Sequence, residues 1–238
     1  MISSPSIEVS GANFLSPEDL KMLRRYTSPT IANAIEVLGV TPEQATYTNA
    51  GVHCLFPDLG PMVGYACTTT IRSAQAASHP RRVRRTEYWE YTRSSPAPRV
   101  TVVQDLSDQP GGAYWGEVNA NIHRALGSLG VITNGTVRDV EEVSSLGFHF
   151  FASGVQVSHG HAHLEDFNRS VKVFDMVVNP GDMVHADRHG AVVIPHDLIR
   201  LVLKAAREIE SRERPMIELC KSPDFSIDEL DKLIPSTY

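Results

Sequence analysis

The chain has 238 residues, 42% of them hydrophobic, and carries a formal net charge of −6 at pH 7. This length and content fit one compact domain with added terminal segments, or two small domains, and the negative charge disfavours nucleic-acid binding through a basic surface. Three widely spaced cysteines give no disulfide framework, so we expect reduced thiols: Cys54, Cys67 and Cys220. With no secretory pattern at its start and no apolar run near the roughly 18 residues that span a bilayer, the chain is expected to be cytoplasmic.

Two helix signals come first. The segment Ser16-Pro17-Glu18-Asp19 combines a serine N-cap, a proline at the first helical position and acids in the first turn. It predicts a helix to about Arg25. A second helix is predicted to begin at Ser28-Pro29 and to end at Gly39.

Two strands separated by a polar segment are predicted next. Residues 64–71 and 99–105 are rich in β-branched and apolar side chains, as strands are. The polar residues 73–98 between them are compatible with a helix and contain four clustered arginines: Arg81, Arg82, Arg84 and Arg85. We interpret this cluster as a solvated loop or an oligomer contact, with anion binding as the alternative.

The second half of the chain has a more regular pattern. Residues 115–129 predict a helix, because five apolar residues recur at helical spacing: Val118, Ile122, Ala125, Leu126 and Leu129. Residues 130–133 predict a buried strand, and residues 140–146 a short helix ended by Gly147. Further strands are predicted at 148–152, 154–158, 171–178, 183–186 and 191–194, and further helices at 196–214 and 227–234. Strands with interspersed helices, followed by hairpins, indicate a mixed α/β fold.

One carboxylate and one Arg-Asp pair form the strongest chemical signal. Glu117 is followed by twenty residues and then by Arg138 and Asp139. A helix and a returning strand between them can bring the three side chains together. A site with oxygen ligands and only a few protein carboxylates suits Mg²⁺ or Mn²⁺. An arginine can hold an anion or a developing oxyanion. The alternative is a structural salt bridge among the three.

Two further patterns carry weaker signals. The glycine-rich residues 111–116 predict a loop before a helix, where free N–H groups favour a carboxylate or phosphate. Alternate histidines, at His159, His161 and His163, could build a zinc site on a strand. Gly160 disfavours a regular strand there, so we favour exposed or substrate-contacting histidines over zinc.

At these residues the chain resembles the RraA-like family. That family includes class II pyruvate aldolases acting on 4-hydroxy-4-methyl-2-oxoglutarate and 4-carboxy-4-hydroxy-2-oxoadipate, and the regulator of ribonuclease activity A. The resemblance rests on GGAYWGE at 111–117, NGTVRDVEEVSSLGF at 134–148 and NPGDMVHADRHGAVVIP at 179–195. It covers roughly residues 28–205. A segment of residues 1–27 with a helix and a helical tail of residues 206–238 are expected on either side of this domain.

The resemblance implies a three-layer β/β/α swivelling-domain-like fold with extra N- and C-terminal helices, assembled as a homotrimer or homohexamer. It implies that Asp139 ligates Mg²⁺ or Mn²⁺ directly and that Glu117 holds the metal through water. Arg138 would contact a small 2-oxo acid substrate. The carboxylate of this substrate would bind the backbone amides of five residues: Gly112, Ala113, Tyr114, Trp115 and Gly116.

The implied activity is that of a metal-dependent carbon–carbon lyase. It would release pyruvate from a 4-hydroxy-2-oxo acid and decarboxylate oxaloacetate as a side reaction, with Arg138 and Glu117 as catalytic residues. Two alternatives stay open. One is a non-catalytic regulator that binds a protein partner, and the other is a related lyase or hydrolase of sugar-acid metabolism.

Overall fold

The computed structural model describes residues 15–41, 46–77 and 83–234. The strands are β1 His53–Cys54, β2 Met62–Arg72, β3 Arg99–Asp105, β4 Ala113–Trp115, β5 Ser128–Thr133, β6 Thr136–Val137, β7 His149–Ala152, β8 Gly154–Val155, β9 His163–Phe167, β10 Val171–Val173, β11 Met176–Val178, β12 Met183–Asp187 and β13 Gly190–Ile194. The helices are α1 Pro17–Leu23, α2 Ser28–Val37, α3 Arg85–Ser94, α4 Glu117–Ala125, α5 Val140–Leu146, α6 Ile199–Lys221 and α7 Ile227–Leu233. Of the predicted arginine cluster, Arg81 and Arg82 lie outside the described residues.

Strand β2 is the centre of the main sheet, whose order is β1-β7-β5-β3-β2-β12-β13. One edge of β2 pairs in parallel with β3, and the other pairs with β12 and then with β9. Paired along both edges and covered on both faces, β2 is buried over Met62–Ile71. This explains why its sequence is a continuous apolar and β-branched run rather than an alternating one.

The sheet separates two cores, because side chains alternate between its faces. Val100 and Val102 of β3 pack towards the β10–β11 hairpin, whereas Val103 packs on the other face with Trp115 and Ala120. The layers are therefore the small hairpin, the main sheet, and a layer that contains α4, α5 and the short parallel sheet β4-β6-β8. This confirms the predicted three-layer α/β fold.

Helices α1, α2 and α6 form a third core against the end of the sheet that carries β12 and β13. A buried polar contact fixes them there. Ser28 Oγ donates to His185 Nδ1 at 2.9 Å, and Ser28 N donates to Asp187 Oδ2 at 2.9 Å. His185 Nε2 faces the Tyr26 carbonyl at 3.1 Å, and burial lowers the pKa of this histidine. Because both ring nitrogens are occupied and the ring is inaccessible, this serine and histidine hold helices rather than a substrate.

The prediction of one helix over residues 115–129 is wrong at both ends. Trp115 belongs to β4, and residues 128–129 belong to β5. Gly116 is the N-cap of α4, and Gly127, with φ of +82°, turns the chain into β5. The helix buries Ala120 and His123, whereas Val118 is 72% exposed, so the predicted apolar face was also misassigned.

The prediction of single strands over residues 171–178 and 154–158 is also wrong. The first segment is a hairpin, because Phe174 and Asp175 adopt positive φ of 47° and 68° and reverse the chain. Only Gly154–Val155 of the second segment is a strand. Helix α6 extends to Lys221 beyond the predicted Arg214, with Pro215 inside it. None of the helices in the described residues has the length and apolarity needed to cross a membrane.

We expect burial of His123 to make the protein acid-labile. Burial lowers its pKa from 6.5 to about 3, so between these values the unfolded chain binds a proton that the folded chain does not. Stability should therefore fall with pH below about 6.5, by about 1.4 kcal/mol per pH unit for this group. Thermal unfolding from pH 7 to pH 4.5 should show a shallower fall for His123→Leu than for the unsubstituted protein. Exposed His53→Leu is the control, and an equal fall in all three proteins would contradict the expectation.

Candidate functional site

The pairing of β4 with β6 brings Glu117 and the Arg-Asp pair together. The two strands are parallel neighbours, with Ala113 opposite Thr136 and Trp115 opposite Val137. The residues that follow each strand therefore lie side by side. Arg138 N donates to the Trp115 carbonyl at 2.9 Å, and Glu117 N donates to Asp139 Oδ2 at 2.9 Å.

Asp139 is held in an unusual backbone conformation. Its φ of 55° and ψ of 48° lie in the left-handed region, which non-glycine residues rarely adopt. It is the N-cap of α5, yet its Oδ2 reaches back to the first N–H of α4. Within the described residues Oδ1 has no hydrogen-bond partner. Asp139 therefore presents a fixed carboxylate with one oxygen available to a ligand.

Gly116 makes room for this carboxylate. A Cβ atom at position 116 would lie 2.4 Å from Asp139 Oδ2 and 3.0 Å from Arg138 Cγ. Arg138 Nε lies 3.7 Å from Asp139 Oδ2, and the two side chains are 39% and 35% exposed. The arginine is thus within ion-pair distance of the carboxylate but forms no bidentate pair with it.

The Glu117 side chain faces solvent rather than its two predicted partners. Its backbone N–H, not its carboxylate, contacts Asp139. Among the described residues the Glu117 carboxylate makes no ion pair. The Glu117 carboxylate is exposed and therefore accessible to water. Hard cations such as Mg²⁺ keep several waters and bind through one or two carboxylates, so this donor set fits such an ion.

Half of the predicted loop of residues 111–116 is a strand. Residues 113–115 form β4, and Ala113 N donates to the Ser158 carbonyl at 2.8 Å. Ala113, Tyr114 and Gly116 line the cleft described below, whereas Gly112 is buried outside it. Trp115 is fully buried too, with its ring 5.9 Å from that of Phe148. The structure thus brings three of the five predicted carboxylate-binding residues to the cleft.

The glycine pair serves a close approach of backbone to backbone. A Cβ atom on Gly111 would lie 2.3 Å from Ala74 Cα, and one on Gly112 would lie 2.4 Å from the His159 carbonyl carbon. Ser73 Oγ accepts from Gly111 N at 2.9 Å and donates to the buried Asp105 carboxylate. We expected these glycines to let the backbone approach a ligand. The close approach that the structure shows is to residues 73–74 at Gly111 and to residues 159–160 at Gly112.

Arg138 and Asp139 line a cleft of about 480 Å³. Its lining also includes four polar groups from elsewhere in the chain: Arg85, His159, His161 and His163. The described residues contain no group of three or more His, Cys, Asp or Glu side chains arranged to hold a metal ion, which gives the zinc hypothesis no support. His163 instead contacts the His161 carbonyl at 2.7 Å and Glu165 Oε1 at 2.9 Å.

Sequence reasoning missed Arg85, Val118 and Asn119 as lining residues. The arginine cluster did contain a signal, but nothing in the sequence tells which of its members faces a cleft. Asn119 Nδ2 donates to the Tyr114 carbonyl at 2.6 Å and so holds β4 against α4. Its role depends on this contact between elements and has no local pattern.

Comparisons with known proteins identify the family. The RraA-like family, described as Aldolase/RraA, matches residues 29–193. An uncharacterised protein of Methanocaldococcus jannaschii is 32% identical over 107 residues, which are 44% of this chain and 51% of that protein. A Halalkalibacterium halodurans protein named "Putative 4-hydroxy-4-methyl-2-oxoglutarate aldolase" is 25% identical over 123 residues, 50% of this chain and 59% of that protein. The matched segments thus span little more than half of these relatives.

A solved structure supports the same fold. The Streptomyces coelicolor protein described as an unusual member of the RNase ES inhibitor RraA family superposes with a TM-score of 0.66 at 21% sequence identity. The superposition covers 84% of this chain and 96% of that one. The chain belongs to the RraA-like family.

Gly112→Ala should test the close approach of residues 159–160. The added methyl group has backbone atoms at 2.4–2.5 Å, so we expect a loss of about 1–3 kcal/mol in the free energy of unfolding. Gly154→Ala is the matched control, because a Cβ there meets no atom within 4 Å. Denaturant unfolding measures both. Equal stabilities of the two variants would contradict the proposed packing.

Proposed function

We propose that this member of the RraA-like family is a divalent-metal-dependent lyase of the class II aldolase type. It would cleave a carbon–carbon bond of a 4-hydroxy-2-oxo acid to release pyruvate, and it would decarboxylate oxaloacetate as a side activity. The observation that carries the proposal is the placement of Arg138 and Asp139 in one open cleft, with one Asp139 oxygen unengaged. The aldolase-named Halalkalibacterium relative supports the same reaction class.

The site residues have distinct proposed roles. Asp139 would hold Mg²⁺ or Mn²⁺ directly, and Glu117 would hold it through water. The ion would supply Lewis acidity to the 2-oxo group of the substrate. The substrate carboxylate would bind at the 112–116 segment, where Ala113, Tyr114 and Gly116 line the cleft.

In aldol cleavage the C3–C4 bond breaks and its electron pair passes to the pyruvyl fragment as an enolate. The C4 hydroxyl loses its proton and becomes a carbonyl group. Neutral water and an exposed carboxylate are both weak bases at neutral pH. We therefore infer that Glu117 would hold the water that takes this proton, and that a bound cation would lower the pKa of that water. The Arg138 guanidinium would stabilise the enolate oxygen, and protonation at C3 would give pyruvate.

Oxaloacetate decarboxylation would use the same enolate without the base. Loss of CO₂ from oxaloacetate leaves the pyruvyl enolate directly, so Arg138 would be needed while proton removal from a hydroxyl would not. This difference separates the roles of Arg138 and Glu117 experimentally. We also propose that the working protein is a homotrimer or homohexamer.

A regulatory function is the second candidate. It is favoured by the likeness in fold to the Streptomyces protein, which is described as belonging to an inhibitor family. A fold alone does not carry catalysis, and the two functions differ in one measurement. Pyruvate release in the presence of Mg²⁺ or Mn²⁺ from a panel of 2-oxo acids and sugar acids supports the lyase, and its complete absence supports the regulator.

We expect pyruvate release from oxaloacetate to require Mg²⁺ or Mn²⁺ and to fall to background in excess EDTA. Asp139→Asn should lose both activity and calorimetric Mn²⁺ binding, because the amide keeps an oxygen for Glu117 N but loses the charge that holds a cation. Exposed Asp231→Asn is the control and should behave as the unsubstituted protein. Full turnover in EDTA, by protein shown to be metal-free by elemental analysis, would refute the metal requirement.

Arg138→Lys should lose rate although it keeps its charge. A lysine is a point donor and cannot reproduce the planar guanidinium. If Arg138 stabilises the enolate, kcat should fall about 100- to 1,000-fold in both decarboxylation and aldol cleavage. Exposed Arg124→Lys on α4 is the control. A raised KM with unchanged kcat would make Arg138 a substrate anchor and not an enolate stabiliser.

A further inference from the structure

We propose that Arg85 and residues 159–163 form a second anion subsite in the cleft, which takes the distal carboxylate of a 2-oxo diacid. This inference rests on the proposed function, because the other end of the same ligand would be the 2-oxo acid at Arg138 and Asp139. It gives a role to the histidines and to one member of the arginine cluster.

Arg85 is the first residue of α3 and lines the cleft together with Arg138 and Asp139. It also lines a smaller adjoining depression of about 370 Å³, and His163 is the other residue that lines both. The two hollows therefore meet at Arg85 and His163.

Arg85 is the arginine whose charge is available there. Its neighbour Arg84 is paired with Glu87 at 2.9 Å at the start of the same helix. Arg85 makes no ion pair with any residue that the structure describes. An unpaired guanidinium at a cleft is well suited to a carboxylate, because its planar donors match the two oxygens.

The charge balance of the lining favours a ligand with two anionic groups. Asp139 is the one carboxylate among the described lining residues, which include two arginines. Glu165 lies just behind the lining and is engaged by His163 at 2.9 Å and by Arg72 at 3.8 Å. Once Asp139 holds a cation, Arg85 and Arg138 remain as two positive groups in one cleft. A 2-oxo diacid offers its 2-oxo acid end to Arg138 and its distal carboxylate to Arg85.

Residues 159–163 are fixed by contacts that do not need a ligand. His161 N donates to the Ser73 carbonyl at 3.1 Å, and His159 Nδ1 donates to the Gly160 carbonyl at 2.8 Å. The second of these bonds holds the His159 ring against its own loop. A Cβ atom on Gly160 would lie 2.4 Å from the Gly111 carbonyl oxygen, so this backbone is seated closely on the start of β4. The subsite is thus preorganised, which lowers the cost of binding.

Exposed Val118 supplies an apolar surface in the same lining. It can contact the methylene groups that connect the two carboxylates. A diacid with a short aliphatic chain therefore matches the lining better than a compact anion such as phosphate.

A matched pair of non-cleavable ligands tests the subsite. 2-Oxoglutarate and 2-oxopentanoate share the 2-oxo acid and the chain length, and differ in a terminal carboxylate against a methyl group. Calorimetric titration of the full chain with Mg²⁺ should give about fivefold tighter binding of 2-oxoglutarate, a size set by the exposure of Arg85. The preference should shrink as salt is raised.

Arg85→Gln should remove this preference and leave the affinity for 2-oxopentanoate unchanged. Arg93→Gln, an exposed arginine near the end of the same helix, should keep the preference. A preference that survives in Arg85→Gln, or equal binding of the two ligands by the unsubstituted protein, would overturn the subsite and leave the proposed function standing. Failure of both ligands to bind with Mg²⁺ or Mn²⁺ would overturn the pyruvyl site and the subsite together.

Discussion

Two very short parallel strands, β4 and β6, hold the candidate site in register. Their pairing places Gly116 and Glu117 beside Arg138 and Asp139, so the carboxylate that follows one strand meets the helix that follows the other. The first N–H groups of a helix lack partners within it and carry partial positive charge. Asp139 Oδ2 satisfies one of these groups, and the same bond fixes the carboxylate. A single hydrogen bond therefore satisfies the first N–H of α4 and positions the proposed metal ligand.

Close backbone contacts connect this pair to the rest of the cleft. Gly111, Gly112 and Gly160 lie where neighbouring backbone leaves no space for a side chain. Glycine loses more conformational freedom on folding than other residues, which is the cost of such an approach. Ser73 adds a polar link, because its hydroxyl joins Gly111 N to the buried Asp105 carboxylate. Strand β4 and residues 159–163 thus form one connected surface, and groups on such a surface can orient a ligand before it binds.

Local patterns predicted elements whose signals lie within a few residues. The bounds of β3 and α5 match the prediction, since β-branched residues mark the first and Gly147 in the left-handed conformation ends the second. We predicted that a helix and a returning strand could bring the Glu117 and Asp139 side chains together. The structure brings the Glu117 backbone to Asp139, whereas the Glu117 carboxylate faces solvent. Contacts between segments distant in sequence decided the positions that local patterns did not predict. Trp115 has the spacing of a helical residue, but burial against Phe148 in a strand fixes its place. Likewise, only the folded chain distinguishes Arg85 from its neighbours.

The energetics of Asp139 argue against a purely structural salt bridge. A left-handed non-glycine residue costs about 1–3 kcal/mol, whereas an exposed ion pair such as that with Arg138 contributes about 0–1 kcal/mol. The hydrogen bond from Glu117 N can offset the remainder, at about 1.5–3 kcal/mol for a charged acceptor. The backbone cost and these two favourable contributions sum to near zero, so the arrangement contributes little net stability. Strained residues persist where the surrounding structure enforces them, and they cluster at sites of function. A carboxylate held this way, half-exposed and with one oxygen turned from its protein partners, accords with the proposed role of Asp139 as a ligand for a cation.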